Sequence, residues 1–207
     1  MSDPAELVDR QWTLSAALAG GWPKLSIRPL PFVSIAAVIG NATQENACRS
    51  VTEGTKDHGS DGLFQWRLDR LTNMQTWCTS NFGLWQAIEP QAAFFAYECA
   101  KDYPALWADL LNGTKPLATL TLDITDQFER PSADGRVPDK RIAYANEFFA
   151  LANSQNTIVD KAQPSAPVPA IGADPELAAI GEILSILRPF DAKTMERILA
   201  YLTERSS

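Results

Sequence analysis

The chain has 207 residues, of which 45% are hydrophobic and 21% charged, enough to bury a core and too apolar for a disordered chain. Its net charge of −7 leaves no basic footprint for nucleic acid and argues against a protein that disrupts membranes by cationic charge. Three widely spaced cysteines, Cys48, Cys78 and Cys99, form neither a disulfide framework nor a zinc site; buried free thiols are expected, with one bridge as the alternative.

The opening residues, Met1 to Glu6, are acidic and contain no apolar signal core, so no secretory signal is expected. Helices are predicted at about 5–19, 31–45, 67–80, 86–102, 116–128 and 138–152. Pro31, Pro90, Pro116 and Pro138 sit where helices can begin, because the first turn leaves its amide donors unpaired in any case. The apolar run Phe32 to Ile39 is too short to cross a bilayer.

The second helix carries the first chemical signal. Phe32, Val33, Ile35, Ala36, Ala37, Val38, Ile39 and Ala42 cover all its sides, the pattern of a helix inside a core. Its last turn then turns polar, with Asn41, Thr43, Gln44 and Glu45. Glu45 projects in nearly the direction of Val38, so its carboxyl is expected in a dry setting at the negative end of the helix dipole. Both influences favour the neutral acid, the form that donates a proton in general-acid catalysis.

Residues from about 50 to 66 read as non-helical, with Gly54, Gly59 and Gly62 as turn residues. Leu63, Phe64, Gln65 and Trp66 follow, and an indole face with a nearby amide suits stacking and hydrogen bonding to a sugar ring. The same four residues also fit a short strand with core aromatics. His58, the one histidine, lies between Asp57 and Asp61 and reads as a surface group or a partner to the loop carboxylates; Cys–His peptidase and metal chemistry have no local signature. Farther on, Phe128 reads as a packing residue, with Glu129 or Arg130 in an ion pair near a helix end.

Pro164, Pro167 and Pro169, among Ser, Ala, Gln and Asn, give residues 153–174 the chemistry of an extended linker. Beyond it, Leu177, Ile180, Ile183, Leu184 and Leu187 suggest a helix ended by Arg188-Pro189, and Asp191 can cap a second with Met195, Ile198, Leu199 and Leu202 on one face.

The order Gly40-Asn41-x-x-Gln44-Glu45-Asn46, then Asp61-Gly62-Leu63-Phe64-Gln65-Trp66, then Arg70, resembles the phage tail lysozyme family of the lysozyme-like superfamily. Gln91 to Phe95, Tyr103-Pro104, Phe128 to Pro131 and Arg141 to Ala145 also resemble its later segments, so the likeness covers about residues 12–150. Asn46 departs from the serine usual there. The resemblance implies a mainly α, lysozyme-like α+β fold with a small β-hairpin lobe. It implies cleavage of peptidoglycan between N-acetylmuramic acid and N-acetylglucosamine, with Glu45 as general acid and no metal or cofactor. No motif fixes a second carboxylate; Glu53, Asp57 and Asp61 all lie in the loop. Asn41, Phe64, Gln65 and Trp66 are the expected substrate-binding residues.

The expected organisation is a catalytic domain at 1–152, a linker at 153–174 and a helical hairpin at 175–207. The expected partners are glycan strands and, through the C-terminal helices, phage tail or other virion proteins. The expected location is a tail-associated place in the virion, or the host cytoplasm before release to the periplasm. A lytic transglycosylase and a non-catalytic virion protein of the same fold are the alternatives.

Overall fold

In a computed structural model, residues 3–51, 59–131 and 137–162 are described, with side chains described to residue 154. Helix α1 (Pro4–Gly20) begins where Asp3 accepts the Ala5 amide at 2.9 Å, a side-chain cap on an unpaired donor. Helix α2 (Phe32–Asn46) follows Pro31, whose extended backbone sets the entry to the helix. Its residues Ser34 to Thr43 are buried without interruption, as the apolar pattern predicts. Strands β1 (Ser60–Asp61) and β2 (Trp66–Arg67) form a two-stranded antiparallel sheet pairing Ser60 with Arg67 and Asp61 with Trp66. The chain is therefore mainly helical with a small hairpin, as expected.

Helices α3 (Leu68–Phe82) and α4 (Ile88–Asp102) come next, and α4 carries Pro90 in its first turn. Helix α5 (Pro104–Asn112) was not predicted: the stretch is only nine residues long, and it is held by burying Leu106 and Leu110 rather than by a long periodic pattern. Helix α6 (Leu117–Asp123) continues into a π-helical segment, Ile124–Glu129, which ends in a left-handed residue, Arg130. One regular helix was expected there. At this junction the Thr121 carbonyl accepts the Asn41 side-chain amide at 3.0 Å and has the Thr125 hydroxyl 2.9 Å away.

Helix α7 (Pro138–Ala162) opens on Pro138 and runs on through residues 153–162, which were expected to be extended linker. The remainder of that linker and the hairpin expected at 175–207 lie outside the described residues. The packing considered below is that of Met1–Ala150, one compact unit. There α1 packs on α4 and α2, α2 on α6, α3 on α4 and α4 on α5. Phe64, Phe94, Phe95 and Phe128 join this core, with Phe64 stacked on Phe95 at a centroid distance of 4.7 Å and Phe95 edge-on to Phe128 at 4.9 Å.

Gly40 decides how α7 meets α2. A Cβ there would lie 2.6 Å from the Arg141 carbonyl oxygen and 2.7 Å from the Ala145 Cβ. With a hydrogen in that place and the small Ala145 opposite, the two backbones close to contact. The approach brings Arg141, on the first turn of α7, to the polar end of α2.

Candidate active site

Glu45 occupies the last turn of α2, with 19% of its side chain exposed, and it forms an ion pair with Arg141 Nη2. Arg141 is 1% exposed. Its Nη1 donates to Asn41 Oδ1 at 3.0 Å, so one guanidinium grips two residues a turn apart on α2. The immediate partner of Glu45 is thus a cation rather than the dry apolar wall expected from the sequence. The helix pattern of α2 alone cannot show this, because the partner arrives from far along the chain.

Asn41 was expected to bind substrate, and the structure corrects this. The residue is fully buried. Its Nδ2 donates to the Ala37 and Thr121 carbonyls, each at 3.0 Å, and its Oδ1 accepts from Arg141 and lies 2.9 Å from Thr125 Oγ1. Every polar atom of the side chain is spent on joining α2, α6, the π segment and α7.

The hairpin is anchored beside Glu45. Asn46 Nδ2 donates to the Gly62 carbonyl at 3.2 Å, and Gln65 Nε2 donates to the same oxygen at 3.2 Å. Gln91, fully buried, accepts the Leu63 amide at 2.9 Å and donates to the Ser50 and Trp85 carbonyls at 2.6 and 2.9 Å. Gly62 has a φ of 84°, and a Cβ on it would meet Gln91 Oε1 at 2.7 Å. Glycine is therefore required for both the turn and the close approach. Gln65 is half-buried, with its Oε1 accepting from Ser60 Oγ at 3.0 Å, and Asp61 is half-buried, with Oδ1 accepting the Gly62 amide at 2.7 Å. The structure thus brings Glu45, Asn46, Asp61 and Gln65 to one end of α2. Glu53 and Asp57, like His58, lie outside the described residues.

Trp66 and Phe64 depart from the expected sugar-stacking wall. They are 1% and 3% exposed, with their faces against Phe94, Phe95 and Phe128, so neither offers a ring to a ligand. The strand-with-core-aromatics alternative describes them. Trp66 Nε1 donates to Glu98 Oε2 at 3.0 Å, which satisfies the buried indole. Arg70 completes that arrangement: its Nε and Nη2 hold Glu98 at 2.8 and 3.0 Å, and its guanidinium lies 4.6 Å from the Phe128 ring centre. Burial works against the Arg70 charge, but the hydrogen bond to Glu98 and that carboxylate's charge raise its pKa on balance.

Glu129, read in the sequence as a residue that could form an ion pair near a helix end, takes a different setting. It ends the π segment, directly after Phe128, whose carbonyl accepts Arg70 Nη1 at 3.4 Å. Its Oε1 is sealed from solvent and has no hydrogen-bond partner among the described residues; Arg141 Nε is in the same condition. Burial first, and then the negative charge of Glu45, push the Glu129 carboxyl well above the usual carboxylate range, against the pull of Arg141 and Arg70. Against expectation, neither Glu129 nor Arg130 forms an ion pair among the described residues; Glu129 is half-buried, with one carboxylate oxygen sealed from solvent. It lies in the Phe128 to Pro131 segment that resembles the family, at the end of the π segment.

All three cysteines are free and buried, as expected. Burial pushes the Cys48 and Cys78 thiols up to about 12 and Cys99 well above its ordinary value, so none is a nucleophile at neutral pH. No helix among the described residues is long and apolar enough to cross a membrane.

Residues 31–151 match the sequence model of a family described as phage tail lysozyme, and that span is more than half of the 207-residue chain. The match contains α2 with Glu45, the hairpin, Arg70, Glu98, Glu129 and Arg141. None of the curated proteins compared matches the chain.

Proposed function

We propose a glycosidase that acts on bacterial cell wall, because this chain belongs to the phage tail lysozyme family. The family carries a lysozyme-type action on peptidoglycan. The finer reading is a muramidase that cleaves between N-acetylmuramic acid and N-acetylglucosamine, working from a phage virion during cell-wall penetration or released for lysis.

The observation that carries this reading is the position of Glu45. It is a carboxyl with residual exposure at the end of an otherwise buried helix, with its partner Arg141 fixed from behind. In the proposed reaction Glu45 gives a proton to the glycosidic oxygen as the bond to C1 breaks, and the sugar passes through an oxocarbenium-like state. Asn46, Asp61 and Gln65 supply polar groups next to it for the N-acetyl and hydroxyl substituents. One of Glu53, Asp57 and Asp61 is proposed to position the attacking water or to stabilise the cation.

The products test this. Purified peptidoglycan digested by the full chain should yield muropeptides with reducing N-acetylmuramic acid ends, seen by mass spectrometry. Anhydro ends would instead identify a lytic transglycosylase that needs only Glu45. Absence of glycan cleavage would identify a virion protein that keeps the fold without the activity.

A further inference from the structure

Helix α3 turns Met74 and Cys78 into the core and carries Gln75, Thr76, Thr79 and Ser80 at the spacing that gathers side chains on one helix face. Trp85, from the connection between α3 and α4, stands against that face, and together they line an open groove of about 380 Å³. Trp85 is half-buried with one part packed on the core; among the described residues its indole has no stacked ring and no hydrogen-bond partner. The side chains of Gln75, Thr76, Thr79 and Ser80 likewise make no hydrogen bond among the described residues. No charged residue lines the groove. The connection itself is held at the backbone. Gly83, with a φ of 78°, ends α3 and donates to the Thr79 carbonyl at 2.9 Å. The Trp85 carbonyl accepts Gln91 Nε2 at 2.9 Å, and the Gln86 carbonyl accepts Ser50 Oγ at 2.6 Å. Gln91 also holds the Leu63 amide and the Ser50 carbonyl, while Asn46 donates to the Arg49 carbonyl at 3.1 Å. One buried amide therefore joins the Trp85 backbone to the hairpin and to the chain leaving Glu45.

We propose that this groove is a second glycan subsite, in which Trp85 stacks on the apolar face of a neutral sugar ring and the α3 side chains bond its hydroxyl and N-acetyl groups. The inference rests on the reading of the chain as a peptidoglycan glycosidase and extends it to a part of the strand away from Glu45. Phe64 and Trp66 were the expected sugar platform, and both are buried in the core. Trp85 supplies a partly open aromatic face on a connection tied to the same Gln91 that anchors the hairpin. An indole offers an apolar plane with one donor at its edge, which suits a ring that is apolar on its face and polar at its rim. Gln75 and the three hydroxyls can each donate and accept, as sugar substituents require. The uncharged lining decides against the stem peptides of peptidoglycan, whose carboxylates call for a cation. Because the backbone bonds hold the connection before any ligand arrives, little ordering cost falls on binding.

Binding of glycan strands freed of their stem peptides tests the subsite, measured on the full chain carrying Glu45→Gln so that no strand is cut meanwhile. Thr79 is exposed, so Thr79→Arg fills the groove without disturbing the core, and it should weaken binding about tenfold. Trp85→Ala should weaken binding to a similar degree, and Trp85→Phe, which restores a stacking face, should recover most of the loss. An affinity unmoved by Thr79→Arg would overturn the subsite, whatever Trp85→Ala does to folding. Binding that needs the stem peptides would overturn the sugar as its occupant. Glycan cleavage by the wild type alongside an unmoved affinity in Thr79→Arg would overturn the subsite alone. A wild type that neither binds nor cleaves glycan strands would overturn the glycosidase reading and the subsite together.

Discussion

Arg141 binds Glu45 and Asn41 at once, tying the end of α2 to the first turn of α7 across about a hundred residues of sequence. The pair is asymmetric, because the guanidinium is buried and the carboxylate is partly exposed. Arg141 therefore holds Glu45 in place from the interior and leaves its outer side to the solvent.

Arg141→Met is expected to destabilise the protein by about 3 kcal/mol, the lower part of the range for breaking a buried pair, because Glu45 retains some hydration. Asn41 Oδ1 loses a donor in the same change. Chemical denaturation of the two proteins measures the difference; a loss within error of zero would mean that the pair does not hold α7 to α2.

Gly40→Ala should cost about 1–3 kcal/mol, as overpacking does, since the added methyl meets backbone of α7 rather than the tip of a flexible side chain. Because the strain pushes Arg141 away from Glu45, turnover should fall along with the melting temperature. An unchanged melting temperature would show that α2 and α7 do not approach so closely.

Stability should depend on pH through Glu129. Its pKa is raised in the folded protein above the ordinary 4.5, so the folded state binds the proton more tightly than the unfolded chain. The contribution is fully present below about pH 4.5 and is lost as pH rises through the folded value. The difference in unfolding free energy between wild type and Glu129→Gln should therefore shift against the wild type as pH rises above that point. A difference independent of pH would contradict a raised pKa at Glu129.

Much of this fold is legible in the sequence because its signals are local. The all-round apolar residues of α2, the prolines at helix starts and the glycines of the hairpin each act on their own neighbourhood. The site is legible only in part. The placement of Glu45 in the last turn of α2 and of Gln65 in the hairpin turn follows from local pattern. The roles of Asn41, Phe64 and Trp66 do not, since whether a polar or aromatic side chain faces a ligand or the core depends on what packs against it. In each case the covering residues come from later in the chain: Arg141 for Asn41, Phe95 and Phe128 for Phe64, and Phe94 for Trp66. The setting of Glu129 was not legible for a related reason: it ends a π segment that no local pattern announces, near the carbonyl where the Asn41 amide and the Thr125 hydroxyl meet.

The segment after α7 gives a prediction of domain organisation. The proline-rich stretch beginning after Ala162 should be cut first in limited proteolysis. A fragment of residues 1–162 should fold and still degrade cell wall, losing only the partner binding proposed for residues 175–207. Aggregation of that fragment, or a melting temperature far below that of the full chain, would show that the C-terminal helices belong to the catalytic domain.

Turnover of purified peptidoglycan by Glu45→Gln, measured beside the wild type as newly formed glycan ends, tests the central claim most directly. The glutamine can still accept a hydrogen bond from Arg141, so the fold should be retained while the titratable proton is lost. Turnover should fall by about a hundredfold or more, the usual loss when a general acid is removed. Wild-type turnover in the folded variant would contradict the assignment of Glu45 as the acid that cleaves the glycan strand.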